Sequence, residues 1–446
     1  MHVKSLSLEN VKAFGTLELD FERPDGQLKG WTVIVGGNSS GKTTILKAIA
    51  LALCGPDAGR QLIKNTAGWI EKGAKGAKSV VEIRWDPEFD HFKVRGKLPG
   101  STFPCGVRWT LEGENSVPDI KSAEFRSSWG TRLLTAPRGP WDPNAEGWFC
   151  SGYGPMRRLT GSSPDAMRDA VGGGKVASHV TLFREDAALS ESEEWLKLLQ
   201  FKQLEGDEEA SHLVPQIIAF LNDDLLPRGF AIERITSEHV FVRSGKTLEL
   251  PMRDLSDGCR SVYALLLDII HNMALVFGTR GLFSRDERGR WVLKQPGVIL
   301  IDEVEAHLHP AWQRTICDWL KTRFPETQFF VTTHSPLIVQ AADPGGIIVL
   351  PLATEEGRQP RKLTDEEYNR VVLGKAEKGL LGESFGLDQT RGKWAVGQIA
   401  KYRLLDAKKR AGALNPVETD QYRELEHQMS IAFEDKPSLE IAGAGA

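Results

Sequence analysis

Residues 36–43 read GGNSSGKT, and the fold follows from what flanks that octet. It satisfies G-x-x-x-x-G-K-[ST] at every fixed position. Ahead of it runs WTVIVGG from Trp31, a β-branched stretch that reads as a strand. Behind it, Ile45, Leu46, Ile49, Ala50 and Leu53 recur at helical spacing from Thr43 onward. Strand, glycine loop and helix in direct succession form the setting in which such a loop cradles phosphate instead of merely turning the chain. The residue types supply the reason. Gly36, Gly37 and Gly41 let the backbone coil tightly, so that N–H groups through Asn38, Ser39 and Ser40 face one anion. The helix that opens at Lys42 adds the positive end of its dipole. Lys42 would then reach the β and γ phosphates of ATP, with Thr44 beside it, and the Thr43 hydroxyl would sit on Mg²⁺.

Further along, GVILIDEVEAH sets Asp302 and Glu303 directly after the apolar run Val298–Ile301. Such a run suits a central parallel strand covered on both faces. Ligands of such sheets bind at the carboxyl ends of the strands. Asp302 is therefore placed to hold Mg²⁺ through a water and Glu303 to polarise an attacking water. The competing reading is that the pair caps the next helix, where acidic residues are favoured. FFVTTHSP ends a second buried strand at His334, which could donate to a γ-phosphate or to the attacking water. Between loop and acidic strand lies LSDGCR, with Ser256 as helix N-cap, Asp257 next, and Gly258 permitting close backbone approach. A bare helix N-terminus is an anion site. His307 and His309 share a spacing that could suggest a metal pair, but no Asp or Cys cluster accompanies them.

The 446 residues suffice for a large core divided into subdomains. A net charge of −4, with 26% charged residues, gives no global electrostatic case for nucleic-acid binding. No apolar run reaches the roughly 18 residues that span a bilayer; Val262–Ile270 is broken by Asp268. MHVKSLSLENVK lacks a signal-peptide core, and Cys54, Cys105, Cys150, Cys259 and Cys317 are scattered singly, so a reducing, cytoplasmic setting is expected. Five parts are expected: an ATPase lobe over 1–64, an antiparallel β-rich part over 65–160, a helical and hairpin insertion over 161–250, a second ATPase lobe over 251–350, and a helical extension over 351–446. SLSLENVKAFGTLELDF reads as two strands around a turn at Gly15, and FKVRG as a further short strand.

Taken together, GGNSSGKT, LSDG, VILIDEVEAHLHP and FFVTTHSP, in that order, resemble the ABC-class ATPases of the SMC, RecF and OLD group. They look most like the compact, arm-less AAA family ATPases of bacterial anti-phage systems, of the Septu ATPase-subunit type. The resemblance implies an α/β P-loop ATPase head with a mixed or antiparallel β subdomain, a helical subdomain and no long coiled coil. It implies a head-to-tail homodimer, or a higher homo-oligomer, that hydrolyses Mg-ATP. Ser256, Asp257 and Gly258 of one copy would then meet the γ-phosphate held by the other. Glu303 would serve as the catalytic carboxylate and His334 as the switch histidine. It further implies a separate effector, a nuclease; a RecF- or SMC-like repair ATPase that binds DNA itself is the alternative. A transporter ATPase fits less well, because Cys259 stands where LSGGQ-type signatures carry Gln. Lys12 and Phe14 stand where the group often has Arg. CSGYGPMRRL at 150–159 occupies the place of a glutamine loop without a Gln, and Arg157 and Arg158 could instead contact phosphate or DNA. No Toprim nuclease pattern follows His334.

Overall fold

The computed structural model describes residues 1–93, 97–111, 118–126, 135–159, 161–171, 174–225, 229–245, 248–351, 359–374 and 393–433. The chain divides into two compact units, Met1–Gly386 and Leu387–Ala446.

Two large sheets dominate the described residues of the first unit. The six-stranded sheet runs, edge to edge, β16 (Arg361–Lys362), β15 (Ile347–Val349), β3 (Gly30–Val35), β14 (Thr327–Thr332), β13 (Gly297–Ile301) and β7 (Cys150–Tyr153). Its neighbours pair in parallel from β15 to β7, and β16 joins the edge antiparallel. Every residue of β13 and β14 is buried, as the apolar runs require of strands covered on both faces. The five-stranded sheet is antiparallel, in the order β2 (Phe14–Asp20), β1 (His2–Val11), β4 (Gly76–Arg84), β5 (Thr102–Thr110), β6 (Asp119–Ser122). On β4 buried and half-buried residues alternate, so only one face looks into the core.

The helix Lys42–Leu62 that follows the glycine loop lies in the core between the sheets. Its Ile45, Ile49 and Leu53 share one apolar cluster with Ile34, Leu300 and Phe330 of the parallel sheet and Val81 and Val107 of the antiparallel one. Ser79 Oγ donates to the Ala48 carbonyl at 3.0 Å, pinning the helix to β4. The helix runs past the expected end at Leu53 by kinking at Gly55, whose φ is 86°. Pro56 has no N–H for the carbonyl of Ala52, four residues back. Trp141 Nε1 donates to that carbonyl at 2.9 Å instead, and Cys105 Sγ approaches it at 3.0 Å. The same Trp141 ring fills the space beside Gly55 where a Cβ would stand, 2.7 Å from its Cγ.

A second core cluster holds helices Ser190–Leu204, Glu208–Leu221 and Asp257–Phe277 against the other face of the parallel sheet. A small antiparallel sheet of β8 (Ala231–Ile235), β9 (Val240–Ser244) and β10 (Leu248–Pro251) stands before the last of these helices. A short hairpin, β11 (Ser284–Arg285) with β12 (Trp291–Val292), follows it. Asp257–Phe277 is the one helix among the described residues long and apolar enough to cross a membrane, although Asp268 interrupts its longest apolar run. Its most apolar stretch is 67% buried inside the protein, which is the behaviour of a core helix. In the second unit, helices Lys393–Arg410 and Pro416–Phe433 share a small core of Leu405, Tyr422 and Leu425, with Tyr402 and Tyr422 stacked at 5.5 Å.

Two local expectations are corrected. Gly15 lies within β2, and the hairpin turns at Lys12 and Ala13, because Val11 pairs with Phe14 and Lys12 adopts φ 53°. Phe92 and Lys93 are in no strand, and the rest of FKVRG lies outside the described residues.

Gly55→Ala forces a Cβ into a left-handed backbone and onto Trp141. We expect a loss of about 1–3 kcal/mol, the usual cost of such strain, read as a lowered urea midpoint at unchanged m-value. An unchanged midpoint would show that the kink relaxes freely.

Candidate nucleotide site

The loop is shaped by left-handed backbone conformations. Gly41 has φ 93° and Ser39 has φ 63°. A Cβ on Gly41 would stand 2.4 Å from the Phe14 ring, so Phe14 packs beneath the loop. Lys12 lies over Trp69 at 4.6 Å. At Gly36 a Cβ would stand 2.6 Å from Ser40 Oγ, a buried hydroxyl without a hydrogen-bond partner among the described residues. Lys42 is buried and folds back to donate to the carbonyls of Gly36 and Gly37, both at 2.9 Å. Burial lowers its pKa, and Asp302, Glu303 and Glu305 oppose that shift.

The parallel order β3–β14–β13 brings the loop to the acidic strand end. Thr43 Oγ1 donates to Asp302 Oδ2 at 2.7 Å, across 259 positions of sequence. Thr332 Oγ1, at the end of β14, donates to the other oxygen of the same carboxylate at 2.5 Å. That hydroxyl also accepts from Glu303 N–H at 2.8 Å. Asp302 is thus buried with both oxygens held, whereas Glu303 beside it is exposed and takes φ 45°. The next helix starts only at Pro310, with His309 accepting from Ala311 N–H, so neither Asp302 nor Glu303 caps it. Beyond β14, His334 is exposed. The Thr333 hydroxyl and the His334 N–H both donate to the Glu305 carboxylate, at 2.7 and 2.5 Å, fixing the turn that carries the histidine.

The helix at LSDG starts where the sequence placed it, with Ser256 in the N-cap position. Its hydroxyl makes no capping bond and points instead to Cys259 Sγ at 3.2 Å. The first helical bond runs from Arg260 N–H to the Ser256 carbonyl at 3.0 Å, which leaves the N–H groups of Asp257, Gly258 and Cys259 ahead of the ladder. Asp257 pairs with Arg260. Ser256 and Asp257 are exposed; Gly258 is buried, and a Cβ there would stand 2.5 Å from the His307 carbonyl of the same chain.

Arg157 corrects an expectation. It is 3% exposed, and its guanidinium turns inward to main-chain carbonyls within the core. Burial lowers its pKa to about 10, with Glu305, Asp302 and Glu303 opposing, so it stays charged at neutral pH. Arg158 is exposed and donates to the Glu185 carbonyl at 2.7 Å. Thr332 and Glu305 were not singled out from sequence. The doubled threonine of TTH and the third carboxylate of DEVEAH were the available signals. Among the described residues, no group of three His, Cys, Asp or Glu converges as a metal site. Thr43 and Asp302 do converge, as hard oxygen donors of the kind that suits a small divalent cation.

Comparison with known proteins agrees with this geometry. A family model described as "AAA domain" matches residues 5–123, which include the loop. One described as "AAA domain, putative AbiEii toxin, Type IV TA system" matches 175–340, which include LSDG, the acidic turn and His334. The chain is 28% identical over 358 residues to the Septu protein PtuA of Bacillus mycoides (strain KBAB4), covering 79% of this chain and 41% of that protein. It is 30% identical over 401 residues to the Septu protein PtuA of Bacillus thuringiensis, covering 90% and 88%. With the Retron Ec83 probable ATPase of Escherichia coli it shares 34% identity over 402 residues, 78% of this chain and 71% of that protein. Similarity at this level over most of both chains, joined to a phosphate loop that meets an acidic strand end, places the chain in the PtuA-like family of AAA-domain ATPases.

Proposed function

We propose that this chain binds Mg-ATP on the 36–43 loop and hydrolyses it as the switch of an anti-phage defence complex in the cytoplasm. The observation that carries the reading is the 2.7 Å bond between Thr43 and Asp302. It joins a loop suited to phosphate and a carboxylate suited to a metal in one place. Mg²⁺ would be held there by the Thr43 hydroxyl and by Asp302, and would neutralise charge on the transferring phosphate. The rest falls to the chain's own groups. Lys42 exchanges its two loop carbonyls for phosphate oxygens. Glu303, exposed beside Asp302, accepts the proton of the attacking water. His334 donates toward the γ-phosphate.

Ser256, Asp257 and the N–H groups around Gly258 complete the site of a second copy, because a helix N-terminus with unbonded N–H groups attracts a phosphate. The family relation to Septu proteins supports a separate effector, which we take to be a nuclease. The five-part division at 64, 160, 250 and 350 accompanies this reading, with the loop in the first lobe and the acidic turn in the fourth part.

Three variants test it. Lys42→Ala should abolish tight ATP binding or turnover; unchanged affinity and hydrolysis in the purified protein would remove the loop from the mechanism. Glu303→Gln should retain ATP and lose at least about 10²-fold in hydrolysis, the scale of a general base, and a wild-type rate would contradict its role. By light scattering, Glu303→Gln should dimerise with saturating Mg-ATP. Adding Ser256→Arg should block that assembly, because the bulky cation obstructs the helix N-terminus. A protein that stays monomeric, or that assembles equally with both changes, would refute the composite site.

A further inference from the structure

The segment that lacks a glutamine carries instead a buried cation with an unusual set of partners. Arg157 follows β7 and donates Nη1 to the carbonyls of Gly154 and Asp302, both at 2.9 Å. Its Nη2 reaches the carbonyls of Glu303 at 3.1 Å, Val304 at 3.2 Å and Ala306 at 3.5 Å. Its Nε reaches Ser261 Oγ, one turn inside the helix that opens at LSDG, at 3.4 Å. Among the described residues, no carboxylate oxygen bonds to it directly. A buried guanidinium served by carbonyls and one hydroxyl is an expensive way to fill space, since burying a charge costs heavily without close compensation. What it gains is geometric. Five carbonyls, four of them from one turn, converge on one rigid planar fork. That turn is strained, with Glu303 at φ 45° and His307 at φ 67°.

We infer that Arg157 is a positioning residue: it fixes the turn that aims the Glu303 carboxylate and, through Ser261, ties that aim to the helix whose N-terminus serves the second copy's nucleotide. The inference rests on the reading of Glu303 as the proton acceptor. Among the described residues, Arg157 makes no hydrogen bond to the 36–43 loop. Its loss should therefore displace the carboxylate without weakening ATP binding, and a displacement of about 1 Å at a reacting group costs on the order of 10²-fold in rate. Among the described residues, Ser261 is the one side chain of the helix opening at LSDG that bonds to this fork. Cutting it should leave the turn in place and loosen only the link between the two halves of the composite site.

The test compares Arg157→Met, Arg157→Lys and Ser261→Ala by steady-state kinetics, ATP affinity and thermal melting. Arg157→Met should lower kcat about 10²-fold with ATP affinity and KM within about twofold. Arg157→Lys, which keeps the charge and some of the donors, should recover part of that loss. Ser261→Ala should keep the wild-type melting temperature and ATP affinity while kcat falls about threefold to tenfold and the dependence of rate on ATP concentration becomes less cooperative. Should the arginine variants fail to fold, the Ser261→Ala result decides alone. Wild-type kcat in all three, or an effect confined to KM, overturns the inference. Glu303→Gln run in parallel separates the two failures. If it is inactive while the Arg157 variants turn over normally, only the positioning role falls. If it hydrolyses at the wild-type rate, the proton-acceptor reading falls and the inference with it.

Discussion

One buried carboxylate organises the site. Asp302 takes a hydroxyl from Thr43 on one oxygen and a hydroxyl from Thr332 on the other. These two donors come from the start of the loop helix and the end of β14, so the bonds hold three elements in register at one point. Thr332 then passes the constraint onward, since its oxygen accepts from the Glu303 N–H and so fixes where the neighbouring carboxylate leaves the chain. Charge-assisted hydrogen bonds in a buried setting are the strong kind. The residue beside Asp302 is free to face outward because Asp302 is not.

The remainder of the fold makes that point of contact possible. Strands β3 and β13 are neighbours of β14, so three carboxyl ends lie side by side and present the loop, the acidic turn and the histidine turn along one edge. The loop helix is gripped on both faces, by Leu300 and Phe330 beneath and Val81 and Val107 above. A helix held in that way keeps Lys42 and Thr43 in place. Around the acidic turn the same economy recurs: Glu305 bonds the histidine turn, Arg157 bonds the acidic turn, and the two turns belong to adjacent strands.

Much of this was legible in the sequence, and for definable reasons. The octet at 36–43 has a fixed local geometry, and the runs before Asp302 and His334 are too apolar for anything but covered strands. Their juxtaposition followed from the rule that ligands gather at the carboxyl ends of parallel strands. What could not be read were interactions that join distant segments through ordinary residue types. Nothing local marks Thr332 as the second donor to Asp302, or Trp141 as the partner of a carbonyl orphaned by Pro56. The sequence allows Arg157 to face phosphate or DNA, because an arginine in a glycine-rich loop is more often exposed, whereas the fold turns it inward. Its carbonyl partners lie more than a hundred positions away in most cases, and only the packing of β7 against β13 brings them near. Ser256 occupies the cap position by sequence, yet its hydroxyl donates to Cys259 Sγ instead of accepting from a backbone N–H of the first turn, a local choice that spacing cannot decide.

The central claim is that Thr43 and Asp302 belong to a single site for cation and nucleotide. Calorimetric titration with ATP, in Mg²⁺ and again in chelator, tests it most directly when wild type is compared with Asp302→Asn. The account predicts that Mg²⁺ strengthens ATP binding to the wild-type protein and that Asp302→Asn loses about tenfold or more of that gain, with metal-free affinity little changed. An equal Mg²⁺ gain in both proteins would contradict it.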